Sequence, residues 1–138
     1  MNKASLIARI LLGAIFFIFG LNGFLNFIPM PPMPEQAGAF MGGLAASGYF
    51  FPFLKATEVV CGLLLLIGAF VPLSLVVLAP IIIQIVLFHA FLAPDGLALP
   101  IVIVLLEAFL AFFSPTYSPI VKQIFRCPLK ESLMGKSQ

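Results

Sequence analysis

The chain has 138 residues, of which 62% are hydrophobic and 9% charged, with a formal net charge of +2. An average soluble domain carries about 25% charged residues, so this chain cannot clothe a water-facing surface of its size. That excludes an ordinary soluble enzyme and a disordered chain, and the few scattered basic residues exclude a phosphate-tracking nucleic-acid surface. What remains is a single transmembrane domain over residues 1–138, with the lipid bilayer as its constant partner and no nucleic acid.

A membrane-spanning helix needs about 20 mostly apolar residues. The first such run covers residues 4–27. It opens behind Lys3 like a signal peptide, but it continues to Ile28, Arg9 interrupts its early part and no small-x-small cleavage site follows, so it is expected to be retained. Pro29-Met30-Pro31-Pro32-Met33-Pro34 cannot be helical. Glu35 to Ala46 is a short helix candidate that Gly48 can end, and at about 18 Å it cannot cross. Phe40, Met41, Leu44, Tyr49, Phe50 and Phe51 leave two readings of the 29–52 segment open. It is an interfacial or re-entrant anchor, or a lid over a site in the outer half.

The second run covers 53–71 and the third 73–92, with Pro72 between them marking a tight helical hairpin. Pro80, inside the third run, is expected to kink it. Pro94-Asp95-Gly96 reads as a turn. The fourth run, 97–113, is the shortest, and its roughly 17 residues cover about 25 Å. Pro115, Pro119 and the polar stretch from Lys122 end the membrane part and leave a tail over 115–138. Apolar runs of this length are helices, because the bilayer offers no partner for an unpaired backbone group. The expected fold is therefore all-α: a transmembrane four-helix bundle with a short interfacial or re-entrant helix between the first and second spans.

Six of the seven basic residues, Lys3, Arg9, Lys122, Arg126, Lys130 and Lys136, lie near the two termini. With an even number of spans both termini share one side, and the positive-inside rule places it in the cytoplasm. Lys55, Glu35 and Asp95 then belong to the outer side. Cys61 falls inside the second span and Cys127 in the tail, so no internal disulfide is expected, and no CxxC is present for a dithiol relay.

Three stretches together resemble the DoxX family of small four-helix bacterial membrane proteins. They are Arg9 to Gly13 leading to Phe16 to Gly23, then Lys55 to Gly68 with Glu58 and Gly62 within it, then Gln84 to His89. The likeness covers roughly residues 5–115, and the Glu58…Gly62…Gly68 element is its most specific part. Many family members carry Lys or another basic residue near position 23, where this chain has Gly. The family is named for a subunit associated with a thiosulfate:quinone oxidoreductase. The resemblance thus implies a multi-pass protein of the bacterial inner membrane, partnered with membrane oxidoreductase subunits and serving a redox system.

An ionisable side chain at the bilayer centre costs about 2.5–3.5 kcal/mol on insertion scales, so each should have a partner and face inward. Asn22 and Asn26, Lys55 and Glu58, and His89 with Gln84 deeper, cluster by depth in the outer half. These six are the candidate ligand-binding residues. Lys55 and Glu58, three apart, can pair directly and share a stripe with Gly62 and Leu65. Arg9, Gly13, Phe16, Gly20 and Gly23 form a small-residue packing face on the first span. Gln84 and His89 lie about 140° apart and cannot both face one spot. Glu58 reads either as a carboxylate that binds a polar head or moves protons, or as half of a structural ion pair. His89 could hydrogen-bond a quinone carbonyl, ligate metal or sit at the interface. Glu107 lacks a partner in its own helix, with Gln84 or Arg9 as candidates, and Arg9 is expected to snorkel to the interface. The sixteen Phe residues face lipid and fill the core, or line a pocket for an isoprenoid or acyl chain.

No ligand spacing supports a Glu58–Cys61–His89 metal site, and one His is too few for di-haem ligation, so neither metal nor haem is expected. No nucleophile–base pair is evident, and whether the chain is catalytic stays open. The leading expectation is a membrane subunit that binds a small hydrophobic molecule such as a quinone. The alternatives are a non-catalytic scaffold or chaperone-like partner, and a small transporter, which so few helices could form only as a homo-oligomer.

Overall fold

The computed structural model describes residues 2–29 and 32–135. Met1, Met30 and Pro31 of the proline-rich stretch, and Lys136 of the basic tail lie outside the described residues. The described chain is helical throughout: α1 (Lys3–Leu25), α2 (Glu35–Ala46), α3 (Phe50–Ile67), α4 (Val71–Phe91), α5 (Ala98–Ala108), α6 (Ser118–Gln123) and α7 (Pro128–Leu133). A 3₁₀ turn at Pro94–Gly96 joins α4 to α5, and α5 runs on into a π-helical turn at Phe109–Phe113. By length and composition α1, α3 and α4 can each cross a membrane, and the apolar stretch Ala98–Phe113 is shorter.

The helix ends follow local chemistry. Asn2 caps α1 by accepting the Ala4 N–H at 2.7 Å, which satisfies one orphan donor of the first turn. Asn26 closes α1 in the left-handed region at φ 52°, its N–H donating to the Asn22 carbonyl at 2.8 Å. The hairpin between α3 and α4 corrects the expected boundary. α3 stops at Gly68, φ +79°, where the N–H groups of Gly68 and Ala69 both reach the Leu64 carbonyl. This is the left-handed ending for which glycine has no Cβ penalty. Pro72 does not separate the helices; it sits in the first turn of α4, where its missing N–H costs nothing. α4 then continues as one helix through Pro80, which is exposed.

Packing is tightest between antiparallel α1 and α3. A Cβ on Gly62 would stand 2.5 Å from Phe17 N, and one on Gly13 would stand 2.9 Å from Leu65 Cβ. Backbones approach this closely only where side chains are absent. α3 packs in turn on α4, α4 on α5, and α5 back on α1. Leu12, Phe16, Leu65, Leu75, Leu78 and Leu110 are the fully enclosed centre. The outer faces stay apolar, with Ile7, Phe53, Leu73, Ile83 and Leu105 all strongly exposed. Large apolar side chains facing outward on every long helix are what a lipid environment accommodates.

Two ends can be distinguished. The tail end holds the start of α1, the Gly68 hairpin and the chain after Phe113. The loop end holds α2 and the 94–96 turn. α2 folds onto the loop end, with Ala37 fully buried and the Phe40 ring centroid 5.8 Å from that of Phe88. The stretch after residue 115 is more than a polar tail, because Tyr117, Ser118 and Val121 are buried against the helices.

Candidate functional site

The Lys55–Glu58 pair occupies the α1–α3 seam. Position 58 shares the inward stripe of α3 with Gly62 and Leu65, and Glu58 is 4% exposed. Lys55 Nζ donates to Glu58 Oε2 at 3.1 Å, an i,i+3 pair in which the lysine side chain keeps 25% of its surface accessible. α1 makes room for both. A Cβ on Gly20 would stand 3.1 Å from Glu58 Cβ, and one on Gly23 would collide with Lys55 Cγ and Cδ. The glycine at 23 is thus the space the lysine stem uses. The pair is a nearly enclosed carboxylate tethered to an ammonium that opens toward the loop end, with only one lysine donor engaged by Glu58.

The other four candidate residues do not join it. Asn22 spends its side chain on the chain just past α1: its Oδ1 accepts the Ile28 N–H at 2.7 Å, and its Nδ2 donates to the Ile28 carbonyl at 3.4 Å. Asn26 is the exposed left-handed cap of the same helix. Both asparagines therefore end a helix, since short polar side chains suit such local bonds. His89 is half-buried, its Nδ1 2.8 Å from the Ile85 carbonyl one turn back, and its ring rests against the 94–96 turn, where a Cβ on Gly96 would stand 2.9 Å from Cδ2. Gln84 is exposed on the apolar outer face of α4.

Most of the buried polar residues lie nearer the tail end: Ser5, Arg9, Ser74, Glu107, Ser114 and Ser118. Ser5 Oγ and Ser114 Oγ share a 2.6 Å hydrogen bond. The π turn makes it possible, since the Ser114 N–H reaches back five residues to the Phe109 carbonyl and rotates Ser114 toward α1. Arg9 does not snorkel outward. It is 8% exposed and lies in the space a Cβ on Gly68 would take, at the negative end of the α3 dipole. Cys61, Ser74 and Glu107 converge from α3, α4 and α5. Glu107 Oε2 and Ser74 Oγ lack a hydrogen-bond partner among the described residues, and neither Gln84 nor Arg9 pairs with Glu107. The sequence signal for this set was the isolated serines inside apolar runs; the π turn that aligns Ser114 left none.

An open apolar groove of about 540 Å³ follows the α1–α5 seam near the tail end, lined by Ile7, Leu11, Val102, Leu105, Leu106 and Phe109 among others. It is mainly aliphatic rather than a Phe-lined pocket, and it lies well away from Lys55. No group of three or more His, Cys, Asp or Glu side chains converges as a metal site among the described residues. Cys61 is buried and Cys127 exposed, both as free thiols.

No curated protein and no solved structure matches the chain. The family model for DoxX matches residues 4–90, which takes in α1 to α4 and both members of the ion pair. The chain, an all-helical membrane protein, belongs to the DoxX family.

Proposed function

We propose that this protein is a membrane subunit that binds a small hydrophobic molecule with a polar head, such as a quinone, in support of a redox system of the bacterial inner membrane. In this reading four helices cross, Ala98–Phe113 being the fourth. Both termini are cytoplasmic, α2 covers the outer mouth as a short interfacial or re-entrant helix, and membrane oxidoreductase subunits are the partners. The supporting observation is the Lys55–Glu58 pair: a carboxylate 4% exposed whose lysine keeps a quarter of its side chain accessible. Lys55 has donors to spare for a carbonyl oxygen, and a bilayer-buried ion pair is costly to keep without use. A second reading, a non-catalytic scaffold, draws on a specific feature. Lys55 and Glu58, both on α3, satisfy one another within the α1–α3 seam, and Asn22 and Asn26 are spent on ending α1.

Glu58→Gln and Glu58→Ala separate the two. Mass spectrometry of co-purified small molecules and a melting temperature are recorded on the same samples. For a binding site, Glu58→Ala loses the bound molecule while the protein stays folded in the membrane. For a structural pair, it retains the molecule and melts earlier. Breaking a fully buried pair costs on the order of 3–5 kcal/mol, and less where one partner is partly exposed as Lys55 is.

A further inference from the structure

The tail end carries charge that nothing in the described chain balances. Lys3, Arg9, Lys122, Arg126 and Lys130 gather there, and the one acid on that surface, Glu131, is already held by Arg126 through Nε–Oε1 at 3.0 Å and Nη2–Oε2 at 2.6 Å. Lys3, Lys122 and Lys130 are exposed and have no ion-pair partner among the described residues. Apolar side chains are interleaved with them: Phe125 is 69% exposed, Leu129 71% and Leu133 80%, the two leucines one turn apart on α7. The segment does not project into water. The Phe125 ring lies 5.9 Å from Phe112 of the π turn, and Val121 is buried, so the stretch is tied to the base of the helices where the apolar surface ends.

We propose that residues 120–134, together with Lys3, form a docking surface for the anionic phospholipid headgroups of the leaflet at the tail end. Lys122 and Lys130 meet phosphate, while Phe125, Leu129 and Leu133 enter the acyl boundary. Cations and large apolar side chains in one short segment are the composition that holds a chain at an interface. Each basic residue near an anionic leaflet strengthens its attachment about five-fold. The inference does not depend on what Lys55 and Glu58 do.

Cys127 supplies the probe position, since it is exposed while Cys61 is buried. The full chain, labelled at Cys127 with an environment-sensitive fluorophore, is reconstituted into phosphatidylcholine vesicles with and without phosphatidylglycerol, each carrying brominated lipid as quencher. Stronger quenching with phosphatidylglycerol is expected, weakened by salt in the unmutated protein. Lys122→Gln with Lys130→Gln should cut the phosphatidylglycerol preference about 25-fold, the product of two such steps. Leu129→Ser with Leu133→Ser should lower quenching in both lipids. Equal quenching in both vesicle types, with no salt effect, overturns the proposal. So does loss of the preference when inorganic phosphate replaces chloride at constant ionic strength, which marks a free-anion site. A probe that stays in water until an acidic protein is added also overturns it.

Discussion

At the scale of single residues, the α1–α3 seam depends on side chains that are absent. Gly62→Ala places a methyl 2.5 Å from the Phe17 backbone nitrogen, which has nowhere to retreat inside a helix. Overpacking of this kind costs about 1–3 kcal/mol, so an earlier thermal melt in detergent is expected. Gly42→Ala is the control: it meets nothing within 4 Å on α2, and it should be neutral or stabilising by up to about 1 kcal/mol. If both variants melt alike, the close approach of α1 and α3 is not what holds them. The Ser5–Ser114 bond makes a second residue-scale claim. Either single change to Ala strands a buried hydroxyl, at about 1–3 kcal/mol, whereas the double change should cost less than the sum. A double-mutant cycle by thermal melting reads the coupling, and a cycle with no coupling energy removes the bond from the account.

At the scale of elements, α7 is held by one exposed ion pair. The Arg126 guanidinium, bonded to both carboxylate oxygens, holds the Glu131 carboxyl below its usual range. A carboxyl lowered on folding contributes its tether above the ordinary carboxylate range and loses it as pH falls through the lowered value. A spin label on Cys127 should therefore be restrained at neutral pH and gain mobility in acid, and Glu131→Gln should show the mobile spectrum at both. A spectrum indifferent to pH and to the substitution contradicts this. The elements also show what the sequence makes legible. Long apolar runs and proline-rich breaks place α1, α3, α4 and α2 within a few residues, because those signals are local. The hairpin is displaced from Pro72 to Gly68 because a left-handed cap is chosen by the bonds of the last turn, and proline is equally at home just inside the next helix. Lys55 and Glu58 are legible as a pair because i,i+3 spacing fixes their meeting. The convergence of Cys61, Ser74 and Glu107 is not, since it depends on how three helices rotate against one another.

At the scale of the whole molecule, the charges and the apolar surfaces have to agree on one orientation in the bilayer. Basic side chains crowd the tail end, while Lys55, Glu35 and Asp95 lie toward the other. A C-terminal reporter should accordingly be active only in the cytoplasm, and one active only outside would reverse the arrangement and place the Lys55 opening on the inner side. The central claim is that this opening receives a polar head, and footprinting of Lys55 tests it most directly. The purified protein is treated with a membrane-permeant amine reagent, with and without a short-chain quinone, and modification at Lys55 is compared with that at exposed Lys122 by peptide mass spectrometry. The account predicts that the quinone slows labelling of Lys55, leaves Lys122 unchanged and loses its protective effect in Glu58→Ala. Labelling of Lys55 that is the same with and without the quinone, in a folded protein, would contradict it.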